Sequence, residues 1–73
     1  MNEKLEIAEN LWATKIAKDP VSLNDYDLWR EIDGSDTLIG RIYQFQNGWE
    51  IDSAGETYIG SNLTEAIYSF LGK

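Results

Sequence analysis

The sequence predicts an α+β fold in which two helices cover one face of a three- or four-stranded antiparallel sheet. Three observations point there. Residues 3–18 and 63–71 place apolar side chains at helical spacing, and the stretch between them changes to a period of two. Turn-forming clusters punctuate that middle stretch at Asp33-Gly34-Ser35-Asp36, Asn47-Gly48 and Ser53-Ala54-Gly55. The expected order is α-β-β-β-(β)-α, in one domain spanning residues 1–73.

In the first expected helix, Leu5, Ala8, Trp12 and Ile16 form one stripe. Asp19-Pro20 stops it, because a residue before proline is pushed out of the helical region. From Asp25 to Asp33, Tyr26, Leu28 and Ile32 alternate with Asp27, Trp29 and Glu31. Residues 37–46 are rich in β-branched and aromatic side chains, and residues 48–52 alternate again. Residues 56–60 offer a short fourth strand. In the last helix Leu63, Ala66, Ile67, Phe70 and Leu71 make the apolar face. Asn62 with Glu65 fits its start and Gly72 its end.

Register follows from the turns. An Asn47-Gly48 loop pairs Gln46 with Trp49, Phe45 with Glu50 and Gln44 with Ile51. A three-residue loop at Gly34-Ser35-Asp36 pairs Ile32 with Leu38 and Leu28 with Ile42. It is preferred to a two-residue Gly34-Ser35 loop because it gathers the apolar set on one face. The inner face is then Leu28, Ile32, Leu38, Ile42, Trp49 and Ile51, under Leu5, Trp12, Ile16, Ile67, Phe70 and Leu71. The outer face keeps Asp27, Trp29, Glu31, Asp33, Ile39, Arg41, Tyr43, Phe45, Glu50 and Asp52, with Trp29 near enough to Arg41 for a cation–π contact.

Composition narrows the chemistry. The chain has 73 residues and neither Cys nor His, which excludes disulfides and the usual structural zinc sites. The common bases and nucleophile pairs are missing too, so catalysis is not expected. The nearest carboxylate pairs are Asp25 with Asp27 and Asp33 with Asp36, and so short a chain has little room for a water-excluding cleft around them. The spacing of Asp33-Gly34-Ser35-Asp36 is not that of a calcium loop, so neither metal nor cofactor is expected.

Thirteen acidic against six scattered basic side chains give a net charge of −7. That sign opposes direct contact with nucleic acid or an anionic membrane surface and favours a basic protein surface as partner. Met1-Asn2-Glu3-Lys4 shows no signal-peptide pattern, and no apolar run approaches the ~20 residues of a membrane span, so a cytoplasmic location is expected.

The expected element order resembles double-stranded-RNA-binding domains in topology alone. Those domains put cations at the start of the last helix, whereas here the stretch is Asn62-Leu63-Thr64-Glu65. In size and charge the chain resembles the small acidic inhibitors of restriction and CRISPR machinery found in phages and mobile elements. The expected function is therefore a small acidic protein-binding module, an inhibitor or regulator that docks its outer sheet face on a larger protein, with imitation of nucleic acid as one form of that reading. Trp29, Tyr43 and Phe45 would anchor it, with Asp27, Glu31, Asp33, Glu50 and Asp52 steering and Arg41 in the same partner-binding set. The alternative is a structural or accessory subunit, or a homodimer, whose acidity serves solubility.

Overall fold

The computed structural model describes residues 4–16 and 24–72. Six strands form one antiparallel sheet in the order of the chain: β1 (Lys4–Ala8), β2 (Leu11–Lys15), β3 (Asn24–Ile32), β4 (Ser35–Phe45), β5 (Gly48–Ser53) and β6 (Glu56–Gly60). Among the described residues a single helix, α1 (Leu63–Leu71), follows. The expected layout with two helices and three or four strands is therefore corrected to a six-stranded meander with one C-terminal helix.

The correction lies mainly in residues 4–15, read as helix and folded as the β1–β2 hairpin. Leu5, Ala8 and Trp12 fit a helical stripe, but Leu11 and Ala13 fit a strand equally well, and they are fully buried. Asn10 takes φ 62°, a left-handed conformation that asparagine tolerates, and it closes a two-residue Glu9-Asn10 turn. β2 then gains what a helix could not offer: a full antiparallel ladder on β3, with Trp12 opposite Trp29 and Ala13 opposite Leu28. Trp12 thus sits on the outer face beside Trp29, not on the inner face. The expected stop at Asp19-Pro20 lies outside the described residues.

Register differs at two turns. Ile32 pairs with Ser35 across an Asp33-Gly34 loop whose residues take φ 52° and 78°. Left-handed values at both centres are the I′ pattern, which matches the twist of a hairpin and is open to Asp-Gly. The expected Ile32–Leu38 and Leu28–Ile42 pairs are replaced by Tyr26–Ile42, Leu28–Gly40 and Trp29–Leu38, with a bulge at Ile39 between the last two. The bulge sends Ile39 toward the core and leaves Leu38 exposed, the reverse of the predicted placement. Ser53 Oγ donates to the Ile39 carbonyl at 2.7 Å and satisfies the distorted backbone.

At the second hairpin Phe45 pairs with Gly48 across Gln46-Asn47. This moves the expected register by two residues, so every side chain between Arg41 and Asp52 keeps its predicted face. Gly48 serves contact more than turning: a Cβ there would stand 2.6 Å from the Gly60 carbonyl oxygen.

Leu11, Ala13, Leu28, Ile42, Ile51 and Ala66 form the buried core, with Leu5, Tyr26, Trp49, Tyr58, Ile67 and Phe70 among the side chains packed on it. Each fully buried Leu or Ile contributes ~1.5–3 kcal/mol. Tyr58 meets Phe70 edge-on at 5.3 Å, which places α1 on the inner face over β5 and β6. The helix has the limits its capping residues predict: Asn62 Oδ1 accepts from Glu65 N at 2.9 Å, and Gly72 ends it at φ 78°. Among the described residues no helix is long and apolar enough to cross a membrane.

Candidate functional site

Because opposed residues share a face, the outer side of the sheet follows from the pairings. One row crosses all six strands: Lys4, Thr14, Asp27, Arg41, Asp52 and Thr57. A second runs from Asp25 through Tyr43 and Glu50 to Ile59. A third holds Glu6, Trp12, Trp29 and Leu38. No described element packs across these rows, since α1 lies on the other face.

Charged and aromatic groups pair off within this surface. The Arg41 guanidinium stands 3.6 Å from Asp27, with Arg41 more than half exposed. The expected Arg41–Trp29 contact is not made. The bulge moves Trp29 opposite Leu38, and its Nε1 donates to Thr14 Oγ1 at 2.9 Å. The cation over a tryptophan is Lys4, 4.9 Å from the Trp12 ring centre, and it also pairs with Glu6 at 3.6 Å. Tyr43 and Phe45, two residues apart on one strand, set their rings 6.2 Å apart and leave both partly open.

Glu50 and Asp52 stand side by side on β5. Partial burial raises the Glu50 carboxyl above its ordinary value near 4.5. A hydrogen bond to Asp52, open to the protonated form, and the Asp52 charge add to that rise. Asp52 Oδ1 is buried and makes no hydrogen bond. Beyond them, a shallow hollow of about 180 Å³ is lined by Phe45, Asn47, Gly48, Trp49, Glu50 and Ile59.

Of the predicted surface residues, Asp27, Trp29, Arg41, Tyr43, Phe45, Glu50 and Asp52 come together. Glu31 shares their face but lies at its end, where its backbone N–H donates to the Asn10 carbonyl at 2.9 Å. Asp33 is not on the face; it forms the β3–β4 turn. Trp12, Thr14 and Ile59 were not expected there. The first two were hidden by the helical reading of residues 3–18. Asp25 is 4% exposed, and Ile59, at 69%, is the most exposed large apolar side chain described.

Among the described residues no cluster of three or more acidic groups is arranged to hold a metal ion. No family model, curated protein or solved structure matches the chain.

Proposed function

We propose that this protein is a binding module that docks the outer face of its sheet onto a basic surface of a larger protein. One observation supports the reading above others: partly buried aromatics (Trp12, Trp29, Tyr43 and Phe45) and the exposed Leu38 and Ile59 interleave with carboxylates on a broad face that no described element covers. Exposed aromatic and apolar patches of this kind mark interaction sites. A merely soluble face would carry the carboxylates without the rings. The row Asp27–Arg41–Asp52 puts a cation between two carboxylates. That break favours a protein surface of mixed contacts with net positive charge over imitation of an evenly charged phosphate backbone.

The test is differential capture from a lysate. The wild-type chain, a Tyr43→Ala/Phe45→Ala double variant, a Glu50→Gln/Asp52→Asn double variant and a Tyr68→Ala control are immobilised in turn. Tyr68 is 57% exposed on the helix, away from the face. A protein retained by the wild type and the control but lost by both face variants is the expected result. Equal retention by all four would refute the reading.

A further inference from the structure

The meander leaves two edge strands, β1 and β6, and they are built differently. An edge strand presents unpaired backbone groups, and natural edges are blunted by charges, bulges or prolines. β1 has such devices: a register shift between Glu6 and Ala8, and the exposed charges of Lys4 and Glu6. β6 has none after Glu56. Its ladder to β5 runs without a shift from Ser53–Glu56 to Trp49–Gly60, and its sequence continues as Thr57-Tyr58-Ile59-Gly60.

The direction of the free groups follows from the hairpin. Ala54 and Gly55 take φ 54° and 78°, so Ser53 and Glu56 close a two-residue turn as a hydrogen-bonded pair. Hydrogen-bonded and non-hydrogen-bonded pairs alternate along an antiparallel ladder. Tyr58 and Gly60 therefore bond to β5, while the N–H and C=O groups of Thr57 and Ile59 point away from it. Neither residue makes a hydrogen bond elsewhere in the described structure. Both side chains lie on the outer face, beside Asp52 and Glu50 respectively.

We propose that β6 accepts an extended segment of a basic partner protein as a seventh antiparallel strand. This rests on the binding role proposed for the outer face and names how the partner engages it. Charge selects the occupant. A second copy would bring two chains of −7 together along this edge, next to Glu50, Asp52 and Glu56, whereas a cationic strand is drawn to them. The pairings also specify the segment. A residue opposite Ile59 meets an exposed apolar side chain, so an apolar or aromatic group belongs there. Two positions on, the residue opposite Thr57 lies in the row of Asp52. Strands are ~4.8 Å apart, so Asp52 lies ~10 Å from the added strand, across a small threonine and within the joint reach of an arginine and an aspartate. The partner segment reads aromatic-x-arginine on the face it shares with β6.

Amide exchange measured by NMR with a synthetic peptide of about eight residues carrying that pattern tests the proposal. The peptide should slow exchange at Thr57 and Ile59 by about tenfold or more near saturation, because ladder bonds protect amides. A peptide with glutamate in place of arginine should not. Thr57→Pro removes one outward donor while leaving the β5 ladder intact, and it should weaken the peptide by about tenfold; a thermal melt confirms that the variant is folded. Ile59→Lys, which keeps every backbone group, should weaken the peptide similarly. Unchanged exchange at both amides up to millimolar peptide overturns the proposal. So does protection that appears without peptide and grows with protein concentration, which would make a second copy the occupant. In the lysate capture, a partner lost by the Tyr43→Ala/Phe45→Ala variant but kept by Thr57→Pro overturns the added strand and leaves the docking face standing. A partner lost by Thr57→Pro but kept by that double variant does the reverse.

Discussion

At the scale of single residues, Glu50 and Glu65 respond to pH in opposite senses. Glu50 is raised above its ordinary value near 4.5 by partial burial and by Asp52. Its ionisation therefore opposes folding: the penalty is absent below the unfolded pKa and grows as pH rises through the folded one. Glu50→Gln should raise the melting temperature at pH 7, and the gain should vanish below about pH 4.5. Glu65 is lowered because its Oε1 accepts from the Ser61 hydroxyl at 2.6 Å and the Ser61 backbone N–H at 2.9 Å. Its contribution is present above the unfolded value and is lost as pH falls through the folded one. Glu65→Gln should lower the melting temperature at pH 7, with the difference closing in acid. Melting curves of both variants across pH 3–8 check the two signs together.

At the scale of elements, the turn into α1 is the tightest junction. Glu65 accepts from Ser61 while its own amide donates to Asn62, so the two sides of the cap hold each other. Asn62→Ala should cost about 1 kcal/mol by urea unfolding. Gly60 meets the backbone of Ala66 so closely that an added Cβ would collide with the Ala66 amide nitrogen. Gly60→Ala should therefore cost more than Asn62→Ala, since the helix must shift off β6. In the sheet, Leu28→Ala should cost ~2–5 kcal/mol, because Leu28 is 1% exposed between β2 and β4.

The elements also show what the residues could and could not reveal. α1 was legible because it is local: cap, apolar stripe and terminal glycine all lie within residues 62–72. The strands from Asn24 to Gly60 were legible for the same reason, their turns being two residues long and marked by Gly or Asn. β1 and β2 were not. Five-residue strands joined by a two-residue turn place Leu5 and Trp12 at spacings that a helix also satisfies. What decides between them is the ladder to β3, a contact distant in sequence. The bulge at Ile39 was hidden likewise. It reconciles the Trp29–Leu38 register set by the tight Asp33-Gly34 turn with the Leu28–Gly40 and Tyr26–Ile42 register of the core. The outer face survived these errors between Arg41 and Asp52 because a shift of two residues preserves parity. Trp12 and Thr14 joined it only through the corrected hairpin.

At the scale of the whole molecule, the helix and the core lie on one side of the sheet and the interleaved charges and rings on the other. Lys4 and Arg41 are the cations placed on the outer rows, each close to a carboxylate, while Glu50 and Asp52 leave the face net negative. A surface of this composition gains association rate from charge and residence from its aromatics. The most direct test is the affinity of a captured partner for the wild-type chain and the Tyr43→Ala/Phe45→Ala variant between low and high salt. Wild-type affinity should fall by about tenfold or more as salt rises, and the variant should bind at least about tenfold more weakly at every salt concentration. Affinity that is indifferent to salt and equal in the two proteins would contradict a docking role for this face.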